Sequence, residues 1–142
     1  MLHPQLAADC AVLGRFELCL LLLMNDANYP WCILVPQRPD LREIYELDEA
    51  DQQQLLRESV MLGRALMRAC AGDKLNLAAL GNLVPQLHVH HVVRKVGDPA
   101  WPAPVWGRVP ARAYADGARR DLIARLKREL PAGLLQTWQV GL

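Results

Sequence analysis

Two apolar runs on either side of one turn set the terms on which this chain can fold. Leu18 to Met24 is seven residues without a polar side chain, and a second apolar stretch starts at Trp31. Between them, Asn25-Asp-Ala-Asn-Tyr-Pro30 gathers residues that favour turns. Short apolar runs bounded in this way read as strands. We therefore expect strands over 17–25 and 31–37, paired as an antiparallel hairpin. Seven residues fall far short of the ~20 that a spanning helix needs. No basic stretch followed by an apolar one opens the chain, so neither a secretory leader nor a membrane partner is expected.

Other segments follow helical or mixed patterns. Leu6, Cys10 and Leu13 recur at helical spacing behind Pro4, which predicts a short opening helix that ends near Gly14. Asp48 is placed to cap a long helix, with Glu49 and Asp51 in the first turn, where the helix dipole favours anions. Leu55, Ser59, Leu62, Leu66 and Ala69 form its apolar stripe, and Gly72 is a natural stop. Residues 74–80 predict a third strand, 81–85 a turn, and 86–95 a fourth strand. Residues 97–113, rich in Pro and Trp, follow neither period and read as an ordered loop or extended arm. Leu122, Leu126 and Leu130 mark a final helix over about 116–130, closed by Pro131 and Gly133. Four strands among three helices, with tight strand-to-strand turns, predict an α+β fold: an antiparallel sheet with one long helix and flanking helices. At 142 residues, 52% of them apolar, the chain has room for one core and is expected to form a single domain.

Sixteen Lys and Arg against fifteen Asp and Glu leave a net charge of +1. A field of that size does not argue for a nucleic-acid partner. The charge is uneven, with seven acidic residues in 40–58 and five basic ones in 118–130. These stretches read as solvated helix faces, or alternatively as complementary faces of a subunit contact. Cys10, Cys19, Cys32 and Cys70 form no Cys-x-x-Cys pair. They read as buried thiols of a cytoplasmic, reducing compartment.

Three of the four histidines lie within Val84-Pro-Gln-Leu-His88-Val-His90-His91-Val-Val-Arg94. Side chains alternate along a strand, so Gln86, His88 and His90 share one face while Leu87, Val89 and His91 share the other. The Leu87 face should pack on helices. A row of polar groups on the opposite face is costly unless it lines a site. Three readings fit the row. One imidazole can attack phosphorus or an acyl carbon while its neighbours donate to the oxygens. Two imidazoles can chelate a metal. His3 is the only other histidine, so a third ligand would have to be a carboxylate or Cys, which counts against the metal. The third reading is a set of hydrogen-bonded polar residues with no chemistry.

The segment Gln86-Leu-His88-Val-His90-His91-Val-Val-Arg94 resembles the signature of the histidine triad (HIT) superfamily. That signature is three histidines alternating with apolar residues on one strand, with an Arg shortly after. Leu20–Pro36 resembles the family's first hairpin, and Leu47–Gly72 sits where the family has its long helix. Trp101-Pro-Ala-Pro-Val-Trp106-Gly107 resembles the tail of a bacterial branch. The resemblance covers about residues 15–107, leaving the C-terminal helix outside it. A register that starts at His88 would put Val92 in the third position. The register that keeps alternation puts Gln86 first, His88 second and His90 third, with Arg94 four residues after the last His.

The resemblance implies that His88 attacks the α-phosphorus of a nucleotide ester, anhydride or phosphoramidate, the nucleotide being a purine one. A nucleotidyl-histidine forms, and nucleoside monophosphate is released, with no metal or cofactor. Imidazole suits this because much of it is neutral near pH 7, and a bond from one ring nitrogen to a backbone carbonyl would aim the other at phosphorus. The resemblance further implies His90 at phosphate or leaving group, Asn25 at the ribose, and Asn82 or Asn76 at phosphate. Arg94 either pairs with phosphate or is exposed. His91 falls on the opposite face, partly buried or at a subunit contact. Trp101 and Trp106 either stack a base or anchor the loop, and Trp31 and Trp138 belong to core or interface. Family members pair through the sheet edge and the long helix, which implies a homodimer. Gln86 departs from the pattern. It cannot act as an acid, though its amide can donate to phosphate. The alternative is therefore a nucleotide-binding module with little or no catalysis.

Overall fold

The structure, a computed structural model, describes residues 1–139. Its elements in chain order are α1 (Pro4–Asp9), β1 (Cys10–Arg15), β2 (Cys19–Met24), β3 (Trp31–Pro36), α2 (Glu49–Cys70), β4 (Lys74–Ala78), β5 (Val89–Arg94) and α3 (Ala118–Glu129). The five strands form one antiparallel sheet in the order β1-β2-β3-β5-β4. The fold is α+β, as the patterning predicts. The expected hairpin is β2–β3, with Cys19 opposite Pro36 and Leu23 opposite Cys32.

Apolar layers cover both faces of the sheet. On one face, Leu21, Leu23, Cys32, Leu34, Val89 and Val93 meet Leu55, Leu62 and Leu66 of α2 and Leu122 and Leu126 of α3. Burying a leucine such as Leu62 contributes ~1.5–3 kcal/mol. On the other face, Leu20, Leu22, Ile33, Val35 and Val92 lie under Leu6 of α1 and under Ala100 and Val105 of the Pro- and Trp-rich segment. With both faces covered, every residue of β3 and β5 is buried. The α2 helix begins as expected, the Asp51 N–H donating to Asp48 Oδ1 (2.8 Å). It ends at Cys70, with Ala71 in the left-handed conformation just before Gly72. No described helix is long and apolar enough to cross a membrane.

Two expectations about elements are corrected. The opening helix stops at Asp9, and residues 10–15 form a fifth strand at the sheet edge. Leu6 and Cys10 pack on one face of the sheet and Leu13 on the other, so their spacing is not one helical stripe. A bulge between Val12 and Gly14 adds to the irregular pattern. Gly14 is needed there, because a Cβ would lie 2.5 Å from the Gln136 carbonyl oxygen. The strand expected over 86–95 starts only at Val89, with Gln86, Leu87 and His88 in the preceding loop. The Leu87 N–H there donates to the Leu41 carbonyl (2.8 Å), outside the sheet.

Candidate functional site

The end of that loop and the start of β5 bring His88 and His90 together. Their rings lie 4.9 Å apart, centroid to centroid, at a steep angle. The His88 Nδ1 is 2.7 Å from the Gln86 carbonyl oxygen. A carbonyl only accepts, so Nδ1 carries the proton and Nε2 keeps its lone pair. His90 is held the other way round. Its Nδ1 lies 3.0 Å from Trp31 Nε1. An indole N–H only donates, so His90 Nδ1 accepts and the ring proton sits on Nε2. Adjacent imidazoles are thus fixed as opposite tautomers, one offering a lone pair and the other an N–H.

The pair is deeply set. His88 is 7% exposed and His90 4%. Trp106 packs edge-on against both His90 (5.1 Å) and Trp31 (5.6 Å). Burial, with the neighbouring His88 and His91 adding to it, lowers the His90 pKa to about 3. His90 is therefore neutral at physiological pH. Among the described residues, no group of three His, Cys, Asp or Glu side chains converges as a metal cage would.

His91 points to the opposite face, as the alternation predicts. Its Nδ1–H donates to the Val89 carbonyl (3.0 Å), and its Nε2 accepts from the Ser59 hydroxyl (2.7 Å). Burial lowers its pKa to about 4, opposed by the bond to Val89. Both ring nitrogens are satisfied, and the ring ties β5 to α2.

The remaining sequence-selected residues divide. The Gln86 side chain faces the chain's own beginning, its oxygen accepting from the His3 N–H (2.8 Å) and its nitrogen donating to the Met1 carbonyl (3.1 Å). Arg94 is neither exposed nor open to a ligand. Its Nε and Nη2 donate to the two oxygens of Asp98 (2.8 and 2.9 Å), and Nη1 donates to Asn76 Oδ1 (2.9 Å). The rings of Tyr29 and Trp101 flank its guanidinium at 5.7 and 5.6 Å. Asn76 is accordingly a partner of Arg94. Asn82 is exposed in the turn before the motif. Asn25 follows β2, accepts from Arg119 Nη1 (3.2 Å), and opens on a cavity of about 550 Å³ beside Gly117 and Arg120.

Sequence reasoning placed Trp31 in core or interface and passed over Asp98, giving neither a site role, yet they orient His90 and Arg94. Trp31 meets His90 across 59 residues, and only the β3–β5 pairing brings them together. Asp98 carried a local signal: a carboxylate four residues after an arginine at the end of an apolar strand.

A family model described as HIT domain matches residues 5–97. Three solved structures, each of a bacterial histidine triad protein, are similar over 92% of this chain. One from Bradyrhizobium japonicum is 48% identical with a TM-score of 0.90, 97% of its chain being covered. One from Marinobacter aquaeolei is 52% identical with a TM-score of 0.88 and 95% covered. One from Sinorhizobium meliloti is 42% identical with a TM-score of 0.89 and 96% covered. Among curated proteins there is no significant match.

Proposed function

Since the chain belongs to the histidine triad (HIT) family, we propose that it is a nucleotidyl hydrolase or transferase working through His88. The observation that carries this reading is the pair of opposite tautomers at His88 and His90. His88 Nε2 attacks the α-phosphorus of a purine nucleotide conjugate. The bond from phosphorus to the leaving group breaks, and its electron pair departs with that group, a departing amine taking its proton from water. The nucleotidyl-His88 so formed is then opened by water or another acceptor, releasing nucleoside monophosphate in the hydrolytic case. Throughout, the bond from Nδ1 to the Gln86 carbonyl supports the positive charge that builds on the ring. The His90 Nε2–H donates to a phosphoryl oxygen or to the leaving group. Bonds of the phosphoramidate, ester and anhydride types all fit this scheme, which calls on no metal or cofactor.

Asn82, exposed beside the motif, is assigned to phosphate, and Asn25 to the ribose. Arg94 and Asn76 instead anchor the segment that carries Trp101 and Trp106. A homodimer is proposed through the β4 edge and α2, where Leu77, Leu56 and Val60 are exposed. Four buried free thiols suit a cytoplasmic setting.

The test is a His88→Ala variant assayed for release of adenosine monophosphate from an adenosine phosphoramidate. Loss of turnover with retained folding is expected, together with a nucleotidyl adduct on His88 of the unaltered protein after acid quench. Undiminished turnover in the variant ends the assignment. A second reading, a nucleotide binder with little catalysis, is favoured by the engagement of the Gln86 amide with the N-terminal segment. Calorimetric binding of adenosine monophosphate without turnover by the same preparation would select it.

A further inference from the structure

The loop before β5 holds His88 by a device that the sheet does not supply. Residues 86–88 lie outside the strand ladder, so no neighbouring strand fixes the Gln86 carbonyl. Yet this carbonyl is the group that accepts from His88 Nδ1 (2.7 Å). It shares one planar peptide unit with the Leu87 N–H. That N–H is pinned by the Leu41 carbonyl (2.8 Å). A unit pinned at one end can still tilt about that bond, so a second anchor is needed to aim the carbonyl.

The Gln86 side chain supplies the anchor from the preceding Cα. Its oxygen accepts from the His3 N–H (2.8 Å) and its nitrogen donates to the Met1 carbonyl (3.1 Å). Along an extended segment, the carbonyl of one residue and the N–H of the residue two positions on point to the same edge. A primary amide presents donor and acceptor together and meets both. An imidazole carries its nitrogens in divergent directions and cannot bridge such a pair. The gripped residues are fixed in their turn. The His3 carbonyl accepts from the Ala7 N–H (3.1 Å) at the start of α1, and Leu6 of α1 packs on the sheet face with Leu20 and Leu22. A continuous path of bonds and packing thus runs from the sheet through α1, residues 1–3 and the Gln86 amide to the carbonyl that orients His88.

We propose that Gln86 is a positioning residue for His88: its side chain, gripped by the backbone of residues 1–3, aims the carbonyl that keeps the proton on Nδ1 and the lone pair on Nε2. The catalytic consequence rests on the assignment of His88 above. The residue at the first triad position then serves the nucleophile from behind and touches no substrate.

Three variants separate the parts. Gln86→Leu removes both side-chain bonds at similar size. His3→Pro deletes the N–H donor without altering residue 86, and guards against misfolding of the leucine variant. The His3 φ of −57° suits proline. His3→Ala loses the same ring and keeps the N–H. The readout is the nitrogen chemical shifts of the two site histidines at mildly alkaline pH. In Gln86→Leu, His88 should show mixed tautomers while His90, held by Trp31, keeps its own. His3→Pro should mix His88 less, and His3→Ala not at all. In Gln86→Leu, kcat for adenosine phosphoramidate should fall about fivefold with KM little changed, as the loss of one ordinary hydrogen bond at the nucleophile implies. An unmixed His88 in Gln86→Leu refutes the positioning role, and so does mixing of both rings, which reports general loosening. A raised KM with unchanged kcat also refutes it and assigns the amide to the substrate. Equal mixing in His3→Ala and His3→Pro refutes the path through the backbone of residues 1–3. If the unaltered protein shows no turnover, the His88 reading fails, while the shifts still decide what orients that ring.

Discussion

Acid should unfold this protein early, and the two inner imidazoles give the reason. His90 is 4% exposed and His91 fully buried. Burial is the main cause holding their pKa values at about 3 and about 4. The same side chains titrate near ~6.5 in an unfolded chain. Below that pH the unfolded chain binds protons that the fold refuses, so acid favours unfolding. Each such group contributes a slope of ~1.4 kcal/mol per pH unit, or ~2.7 for the pair. The stabilisation is fully present above about pH 6.5 and is lost as pH falls toward the folded values. Between about pH 6.5 and 4 the loss is several kcal/mol, a large part of the ~5–15 kcal/mol that holds a typical domain. Asp98 acts in a different window. Its bond to Arg94 lowers its pKa, so its contribution is present above the ordinary carboxylate range and is lost only as pH falls through the lowered value. Urea titrations at a series of pH values would measure the slope above that range. His91→Gln should remove about half of it. A stability that stays flat from pH 7 to 5 would refute the buried, neutral state of these rings.

Two further substitutions probe the supports of the site. Trp31→Phe keeps most of the ring packing but deletes the donor to His90 Nδ1. The nitrogen chemical shifts of His90 should show mixed tautomers, and kcat should fall about fivefold, as loss of one ordinary hydrogen bond implies. An unmixed tautomer with full activity would reduce Trp31 to packing. Arg94→Met leaves the half-buried Asp98 carboxylate with only the Lys95 and Ala100 N–H donors and should destabilise the fold by ~1–3 kcal/mol in denaturant titration. A loss below ~1 kcal/mol would show that the segment carrying Trp101 and Trp106 is held by its apolar contacts instead.

Legibility followed the range of the interactions. The β2–β3 hairpin was readable because its apolar runs and its turn lie within 20 residues of each other. The cap and stripe of α2 were readable for the same reason. The alternation of the motif placed His88 and His90 away from His91, and the contacts agree, with His91 on Ser59 and His90 on Trp31. Local pattern misled at the two places where side chains on opposite faces mimic a single period. Leu6, Cys10 and Leu13 have helical spacing, yet they straddle the sheet. The alternation of Gln86, Leu87 and His88 continues the strand pattern, yet the backbone there pairs with Leu41 and not with the sheet. The bond of Trp31 to His90 and those of Gln86 to Met1 and His3 join residues 59 and 83 or more positions apart, and no local period encodes such contacts.

The division of tasks within the motif explains why the change at its first position is compatible with chemistry at the second. On the proposed reading, the nucleophile is held by the backbone of residue 86, because the Gln86 carbonyl fixes the His88 tautomer. The donor depends on Trp31, which lies on another strand. Neither device needs an imidazole at position 86. What such an imidazole would supply is a proton for the departing group, and neither residue 86 nor the low-pKa His90 supplies one readily. Such a site acts best on bonds whose leaving groups depart as weak bases, or on substrates that bring their own proton donor. The substitution therefore bears on which bonds are broken, and leaves intact the means of attacking them.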